Sequence, residues 1–402
     1  MKTIIVGSGI AGAYLARELS KTDNVTVLEK EDYLGGRILT GHESGSTFEI
    51  GAGRIHSTHL RTLALIKEYG LKTVDIGGTP MWRPLGSSAS MPNLFEPTWA
   101  ALLNQFRKLP TEVLGTTTLK DLCESVLGPK QTKSLLDTFP YRTELESMRA
   151  DVAIKGFDDT AGTQGKYMVV LGGLTQLIQG LVRDAKANGA VFKMGVEVTD
   201  VNEYGVVTKT KEYRADRVIL CIPVSGLRKL PVLKGLKAFD YVDMAPLTRI
   251  YGVYPGLKLD RTITDSPIRY IIPIHGDLFM ISYTDGRDTK RWAGISGPAL
   301  TKSIQQELTT LFPELTIPEP TWVKAFEWSG GTTYWKPGSL QPQDRESRSY
   351  DPVEEGQRVL QPRPSSLPSL YICGESFSML QAWMEGSLEH AEALIELFPQ
   401  KE

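Results

Sequence analysis

A glycine-punctuated turn within the first dozen residues constrains this chain more than any other feature. Thr3-Ile4-Ile5-Val6 is a short apolar run, Gly7-Ser8-Gly9 breaks it, and Ile10-Ala11-Gly12 opens a helical pattern. A second apolar run, Val25-Thr26-Val27-Leu28, ends at Glu29, 17 residues beyond Gly12. Strand, GxGxxG turn, helix, strand and acid in that order predict a dinucleotide site. Gly7 permits the tight turn, Gly9 lets the backbone approach a pyrophosphate, and Gly12 lets helix and strand pack closely. The N–H groups where the helix opens, at Ile10 and Ala11, then face the phosphates with the positive end of the helix dipole behind them. Glu29, with Lys30 beside it, closes the ribose end: its carboxylate accepts from a ribose diol and repels a 2′-phosphate. The motif leaves NAD and FAD both open.

At 402 residues the chain is long for one core, and two domains are expected. A net charge of −2 offers no electrostatic case for nucleic acid or for an anionic membrane. Cys123, Cys221 and Cys373 are far apart and form no CxxC pair, so neither a zinc site nor a disulfide framework is expected. His56 and His59 lack a third ligand, and no metal is expected there. The first strand starts at Thr3, which leaves no room for a signal peptide, and no apolar run approaches the ~20 residues of a membrane span. The expected setting is cytoplasmic.

Beyond the opening βαβ, helical periodicity runs from about Leu60 to Arg149, broken by an irregular loop around Pro80, Pro84, Pro92 and Pro97. A glycine turn at Gly172-Gly173 leads into a helix over Leu174–Lys186. Strands are expected at Val191–Met194, Val196–Val201, Val206–Thr208 and Arg217–Pro223, then at Ile250–Tyr254, Tyr270–Ile272 and Leu278–Tyr283. A helix over Ala299–Leu311, a strand over Val323–Trp328 and a loop from Gly338 to Ser366 follow. The chain closes with a strand, Ser369–Cys373, and a helix from Met384 to Phe398.

Three blocks are more specific: Leu34-Gly35-Gly36-Arg37, Ile50-Gly51-Ala52-Gly53-Arg54, and Gly374-Glu375 followed by Ala382-Trp383-Met384-Glu385-Gly386-Ser387-Leu388. In this order they resemble the flavin amine oxidase family, whose members include monoamine, polyamine and L-amino-acid oxidases. The resemblance covers the whole chain and implies an α/β fold. It implies a Rossmann-like FAD-binding domain of the amine-oxidase type from residues 1–58, 166–228 and 355–402. An inserted α+β substrate domain would comprise a helical insert, 59–165, and a mixed sheet, 229–354. The implied cofactor is FAD. On that resemblance Gly36 and Arg37 lie along the pyrophosphate, where a guanidinium fork suits phosphate oxygens. Gly51, Ala52, Gly53 and Arg54 border the cofactor, and the backbone of Val198 meets the adenine. Gly374 and Glu375 hold the ribityl chain and pyrophosphate, while Trp383 and Met384 present helix N–H groups to the flavin's pyrimidine edge. Ser329–Trp335 carries no cysteine, so non-covalent FAD is expected.

The resemblance also bears on substrate. Trp383 matches one wall of the aromatic cage of monoamine oxidases, whereas the other wall maps to Gly331, as in L-amino-acid oxidases. Arg54 matches the arginine that binds a substrate carboxylate in the latter, and Tyr270 lies near a second carboxylate contact. Arg249 stands where most relatives carry a lysine; arginine does not deprotonate in proteins, so a proton-accepting role is excluded. The catalytic set expected is Arg54, Arg249, Trp383 and Tyr270, acting on a small-molecule amine or amino acid with molecular oxygen. An L-amino acid is favoured. A monoamine or polyamine oxidase, an amino-acid monooxygenase, a non-catalytic flavoprotein and a homodimer all stay open. His390 reads as a surface helix residue, Glu385 as a carboxylate favouring its own helix dipole, and Trp322, Trp328, Tyr334 and Trp335 as mainly core packing.

Overall fold

The computed structural model describes residues 1–76, 79–93, 95–160, 166–338, 350–362 and 369–399. Five short parallel strands form the first sheet, in the spatial order Val191–Lys193, Asn24–Leu28, Lys2–Val6, Arg217–Leu220 and Ser369–Ile372. Their near-continuous apolar runs reflect burial on both faces. Ile5, Val27 and Ile219 face the helices Ile10–Leu19 and Met384–Glu396, packing with Leu15, Ala391 and Leu394. Ile4, Leu28, Val218 and Leu220 face the other way and pack with Val201 and Val206 of an antiparallel three-stranded meander. Strand order reverses across Lys2–Val6, so the crevice beyond its carboxyl end, where Gly7 turns, is the natural ligand site.

The second large sheet has seven strands, in the order Trp322–Trp335, Val242–Val253, Leu278–Asp285, Tyr270–His275, Thr262–Ile263, Met81–Trp82 and Met91–Pro92. One face carries Ile250, Phe279 and Ile281 against Leu300, Ile304 and Leu308 of the helix Gly297–Leu311. The other carries Leu247, Tyr251, Tyr270, Met280 and Tyr283, with Phe48 packed among them. Helices between residues 95 and 160 bury Phe95, Trp99, Phe106, Leu119, Leu136 and Phe157 in a core shared with the first sheet.

The mixed α/β architecture agrees with the sequence expectation, and several elements differ. The Pro80–Pro97 region contains the two short strands Met81–Trp82 and Met91–Pro92, added to the sheet edge. The strand expected to stop at Trp328 continues to Trp335, because Val242–Ala245 pairs with Thr332–Trp335. The Gly338–Ser366 loop contains a helix, Pro352–Leu360. Asp351 caps it, accepting the Val353 N–H at 2.8 Å, and Pro352 sits at its first position, where the missing N–H costs nothing. Residues 339–349 and 363–368 of that loop lie outside the described residues. No helix among the described residues is long and apolar enough to cross a membrane.

Candidate active site

The amino-terminal turn is shaped for an anionic ligand. A Cβ at Gly12 would overlap the Gly7 carbonyl oxygen, and one at Gly7, where φ is +97°, would lie 2.6 Å from the Cys221 carbonyl oxygen. Gly9 differs: a Cβ there would meet nothing within 4 Å, so its face is open. The helix that follows has no capping side chain and no acid in its first turn, leaving its N–H groups available. Glu29 is buried and oriented. Its Oε2 accepts from the Ser8 N–H (2.8 Å) and hydroxyl (2.7 Å), and its Oε1 from the Glu31 N–H (3.0 Å). The remaining lone pairs can serve a ribose diol. Val196 N–H donates to the Glu29 carbonyl, which brings the Val198 strand to this end. Lys30 lies there too, with its ammonium exposed and paired to Glu31.

The other motif blocks converge on this turn. Gly35 N–H donates to the Ser8 carbonyl, and Gly36, with φ at +58°, approaches Gly9. Ala52 N–H donates to the Arg37 carbonyl, and a Cβ at Gly51 would overlap that same oxygen. Arg37 Nη2 pairs with Glu375 Oε1 at 2.5 Å, while Glu375 also accepts from Thr333 Oγ1 and the Ala382 N–H. Gly374, with φ at +134° and open space before it, offers a second bare backbone surface. An open glycine face, an uncapped helix start, an oriented acid and an arginine held beside them by Glu375 suit a dinucleotide, so the residues present fit FAD.

Arg54 lies against two rings, with Cζ 5.2 Å from the centroid of Tyr141 and 5.6 Å from that of Tyr167. Tyr270 and Tyr283 are close enough to sense its charge. No carboxylate pairs with it among the described residues. Tyr167 in turn lies near-parallel to Trp383, at 22° and 6.2 Å, and His59 packs on Trp383 at 4.8 Å. Arg249 is buried, donates from Nη1 to the Glu49 carbonyl at 3.0 Å, and lies over Tyr283. A Cβ at Gly53 would come within 3.2 Å of Arg249, so Arg249 borders the motif block that carries Arg54. Burial lifts the Glu49 carboxyl to about 7, even though it accepts from the Leu174 N–H and Thr40 hydroxyl. The Tyr270 hydroxyl accepts from Arg261 Nε at 2.8 Å, and its ring stands 6.4 Å from Tyr141.

Some expectations need correction. His390 is buried, not superficial: Nδ1 accepts the Gly374 N–H at 3.2 Å and Nε2 meets the Gly356 carbonyl at 3.3 Å. Burial pushes its pKa down to about 4. Glu385 does more than favour its own helix dipole. It reaches across to accept from Arg61 N–H, Thr62 N–H and the Thr62 hydroxyl, each at 2.9 Å, and so caps the helix Leu60–Glu68. Trp335 is fully enclosed and donates to the Ser378 carbonyl, while Trp328 donates to the Ile50 carbonyl and abuts Gly51. Tyr141, Tyr167, Tyr283 and Glu144 were absent from the sequence-based set. Nothing in their local sequence marks them, because pairing and packing between distant segments bring them to Arg54.

Comparison with known proteins places these observations. Residues 8–393 match the family model described as flavin containing amine oxidoreductase. The chain is 26% identical to a flavin-dependent L-tryptophan oxidase from Lentzea aerocolonigenes, over 98% of this chain and 97% of the relative. It is 22% identical to a putative L-amino-acid oxidase from Bacillus subtilis, over 96% and 92%, and 23% identical to polyamine oxidase 4 from rice, over 93% and 83%. With the dinucleotide cradle, the convergent blocks and a match across nearly its whole length, the chain belongs to the flavin-containing amine oxidoreductase family and is an FAD-dependent oxidoreductase.

Proposed function

We infer that the substrate is an L-amino acid, oxidised at Cα to an imine that water hydrolyses to a keto acid and ammonia, with oxygen reduced to hydrogen peroxide. The observation that carries this reading is Arg54, an arginine held on two tyrosine rings with no carboxylate partner among the described residues. A guanidinium so placed can take a substrate carboxylate through two parallel hydrogen bonds. The names of the tryptophan oxidase and amino-acid oxidase relatives support the same class.

FAD, when bound, supplies the two-electron oxidation of the Cα–N bond. The chain's own residues position and shield. Arg54 would fix the carboxylate end, with the Tyr270 ring nearby as a further wall. Trp383 and Tyr167 would line the pocket and exclude water, which strengthens the charge–charge contacts within it. Arg249, steadied by the Glu49 carbonyl, would contribute a fixed positive charge or orient a water, without accepting a proton. Gly9, Ile10, Ala11 and Arg37 would hold the pyrophosphate, Glu29 a ribose, and the Trp383–Met384 helix start the flavin's pyrimidine edge. With no cysteine in Ser329–Trp335, FAD would be held non-covalently. The seven-stranded sheet and the helices between residues 95 and 160 would form the substrate domain.

A panel of the twenty L-amino acids and of mono-, di- and polyamines, added anaerobically to holoprotein, tests the reading through bleaching of the flavin. Bleaching by amino acids supports it, and keto acid and peroxide should accumulate once air is admitted. Bleaching by amines alone, or an amide and carbon dioxide as products, overturns it.

A further inference from the structure

A second charge in the Arg54 pocket has no role so far. Glu144 belongs to the short helix Thr143–Glu146, just after Tyr141, the ring on which Arg54 rests. Asp285, at the end of the strand Leu278–Asp285, grips this turn from below. It accepts the Arg142 N–H at 2.8 Å, the Thr143 N–H at 2.9 Å and the Thr143 hydroxyl at 2.7 Å. The neighbouring charges are tied elsewhere, Arg142 to Asp137 and Asp288, and Glu146 to Arg287. Glu144 stands outside that network. Its carboxylate has no hydrogen bond or ion pair among the described residues, and the residue is half-buried.

The groups facing it are Arg54, Asp285 and Tyr283, with Arg249 behind Tyr283. Burial and the Asp285 charge lift its carboxyl to about 7, while the Arg54 charge pulls it down. Arg54 and Glu144 thus sense each other across the pocket without forming an ion pair. Two uncompensated opposite charges with a gap between them are the complement of a zwitterion.

Resting on the reading of Arg54 as the carboxylate anchor, we propose that Glu144 receives the substrate's α-ammonium group and removes one proton from it. The N–H bond breaks, an O–H bond forms on Glu144, and nitrogen keeps the electron pair as a neutral amine, the form able to lose hydride from Cα. The site would then select α-amino acids over acids lacking the amine and over amines lacking the carboxylate.

The test uses holoprotein and three matched probes: the L-amino acid that bleaches the flavin fastest, its deamino carboxylic acid and its decarboxylated amine. Binding is read from the perturbed flavin spectrum and from the concentration dependence of anaerobic reduction. In the wild type, amino-acid affinity should fall as pH drops through about 7, where Glu144 loses its charge. Glu144→Gln should weaken amino-acid binding at pH 8 by about tenfold or more and abolish that acid limb. Binding of the deamino acid should persist or tighten. An amino-acid affinity and acid limb unchanged in Glu144→Gln, with deamino-acid binding still dependent on Arg54, would overturn the role of Glu144 alone. A deamino acid whose binding ignores Arg54→Ala, or an enzyme that no amino acid reduces, would remove the underlying reading as well. If Glu144→Gln fails to hold flavin, Glu144→Asp serves, since it keeps the charge but withdraws it by one methylene. Weakened binding with a retained acid limb supports the proposal, and unchanged binding overturns it.

Discussion

At the scale of single residues, the site depends on charges left without internal partners. Arg54 is the clearest: it has no ion-pair partner among the described residues, and on the proposed reading truncating it removes two charge-assisted hydrogen bonds to the substrate carboxylate. Arg54→Ala should lower kcat/KM for amino acids by about a hundredfold, on the usual value of hydrogen bonds to charged groups. Simple amines should change little, and steady-state kinetics on both substrate types reads the difference directly. Equal losses for both would show that Arg54 serves the cofactor or the fold. Arg37, Arg54 and Trp383 stand out in the sequence because each lies in a motif block that carries the family resemblance, and Glu29 because it ends the second strand at a set distance from the GxGxxG turn. Tyr141 and Glu144 do not. They lie in a helical stretch without a motif, and the Asp285 grip on the Arg142–Thr143 backbone, 142 residues away for its Thr143 bonds, fixes the turn that carries them. The surface expectation for His390 fails for a related reason: its helix period is compatible with exposure, and only the fold brings Gly374 and Gly356 to its two ring nitrogens.

At the scale of elements, the long pairing of Trp322–Trp335 with Val242–Val253 controls the shape of the pocket wall. Its register breaks between Ala245 and Leu247, so Ser329-Gly330-Gly331 bulges opposite Pro246. There the Gly331 carbonyl is free to accept from Arg37 Nη1 at 3.2 Å, and a Cβ at Gly331 would overlap Leu247 Cβ. The glycine at this position, which the family resemblance matches to the second cage wall, is therefore enforced by packing against Leu247. Gly331→Tyr, intended to rebuild the cage, should cost about 1–3 kcal/mol of stability in urea unfolding and should not create monoamine oxidation. Adding Leu247→Ala should recover part of that stability; a Gly331→Tyr variant as stable as the wild type would refute the clash. The βαβ opening, the long helices and the closing helix were readable from apolar period and glycine position. The helix Pro352–Leu360 was not, because proline beside Gln, Ser and Arg reads as loop until Asp351 is seen capping it. The edge strands Met81–Trp82 and Met91–Pro92, two residues each, are too short to show any period at all.

At the scale of the whole molecule, the candidate cradle joins the two ends of the chain. The Gly7–Gly12 turn supplies one face, the Gly374–Glu375 turn and the Trp383–Met384 helix start the other, and His390 ties the second to the body of the protein. That tie is acid-sensitive. His390 Nδ1 accepts the Gly374 N–H, so the ring must be neutral there, and burial holds its pKa at about 4 against the usual 6.5. An unfolded chain therefore binds a proton at this residue between pH 6.5 and 4 that the native chain does not. Stability from this source is complete above about 6.5 and is lost as pH falls toward 4, by up to about 3 kcal/mol for a shift of this size. His59, pushed down to about 4 by burial, acts in the same sense. Glu49 and Glu144, both lifted to about 7, act in the opposite sense and gain stability as pH falls. These contributions oppose one another in Tm, so the diagnostic quantity is local. Protonating His390 removes the acceptor of the Gly374 N–H and loosens one wall of the cradle before the molecule unfolds. Flavin should thus appear free in the filtrate as pH approaches about 4, ahead of the loss of far-ultraviolet circular dichroism. His390→Gln, which cannot take up that proton, should hold its flavin to lower pH than the wild type does. Because a ligand that binds only the native state raises Tm, adding excess FAD should also raise the Tm of the deflavinated protein. Flavin that stays with the polypeptide after complete acid unfolding would show a covalent link and end this account of the cradle.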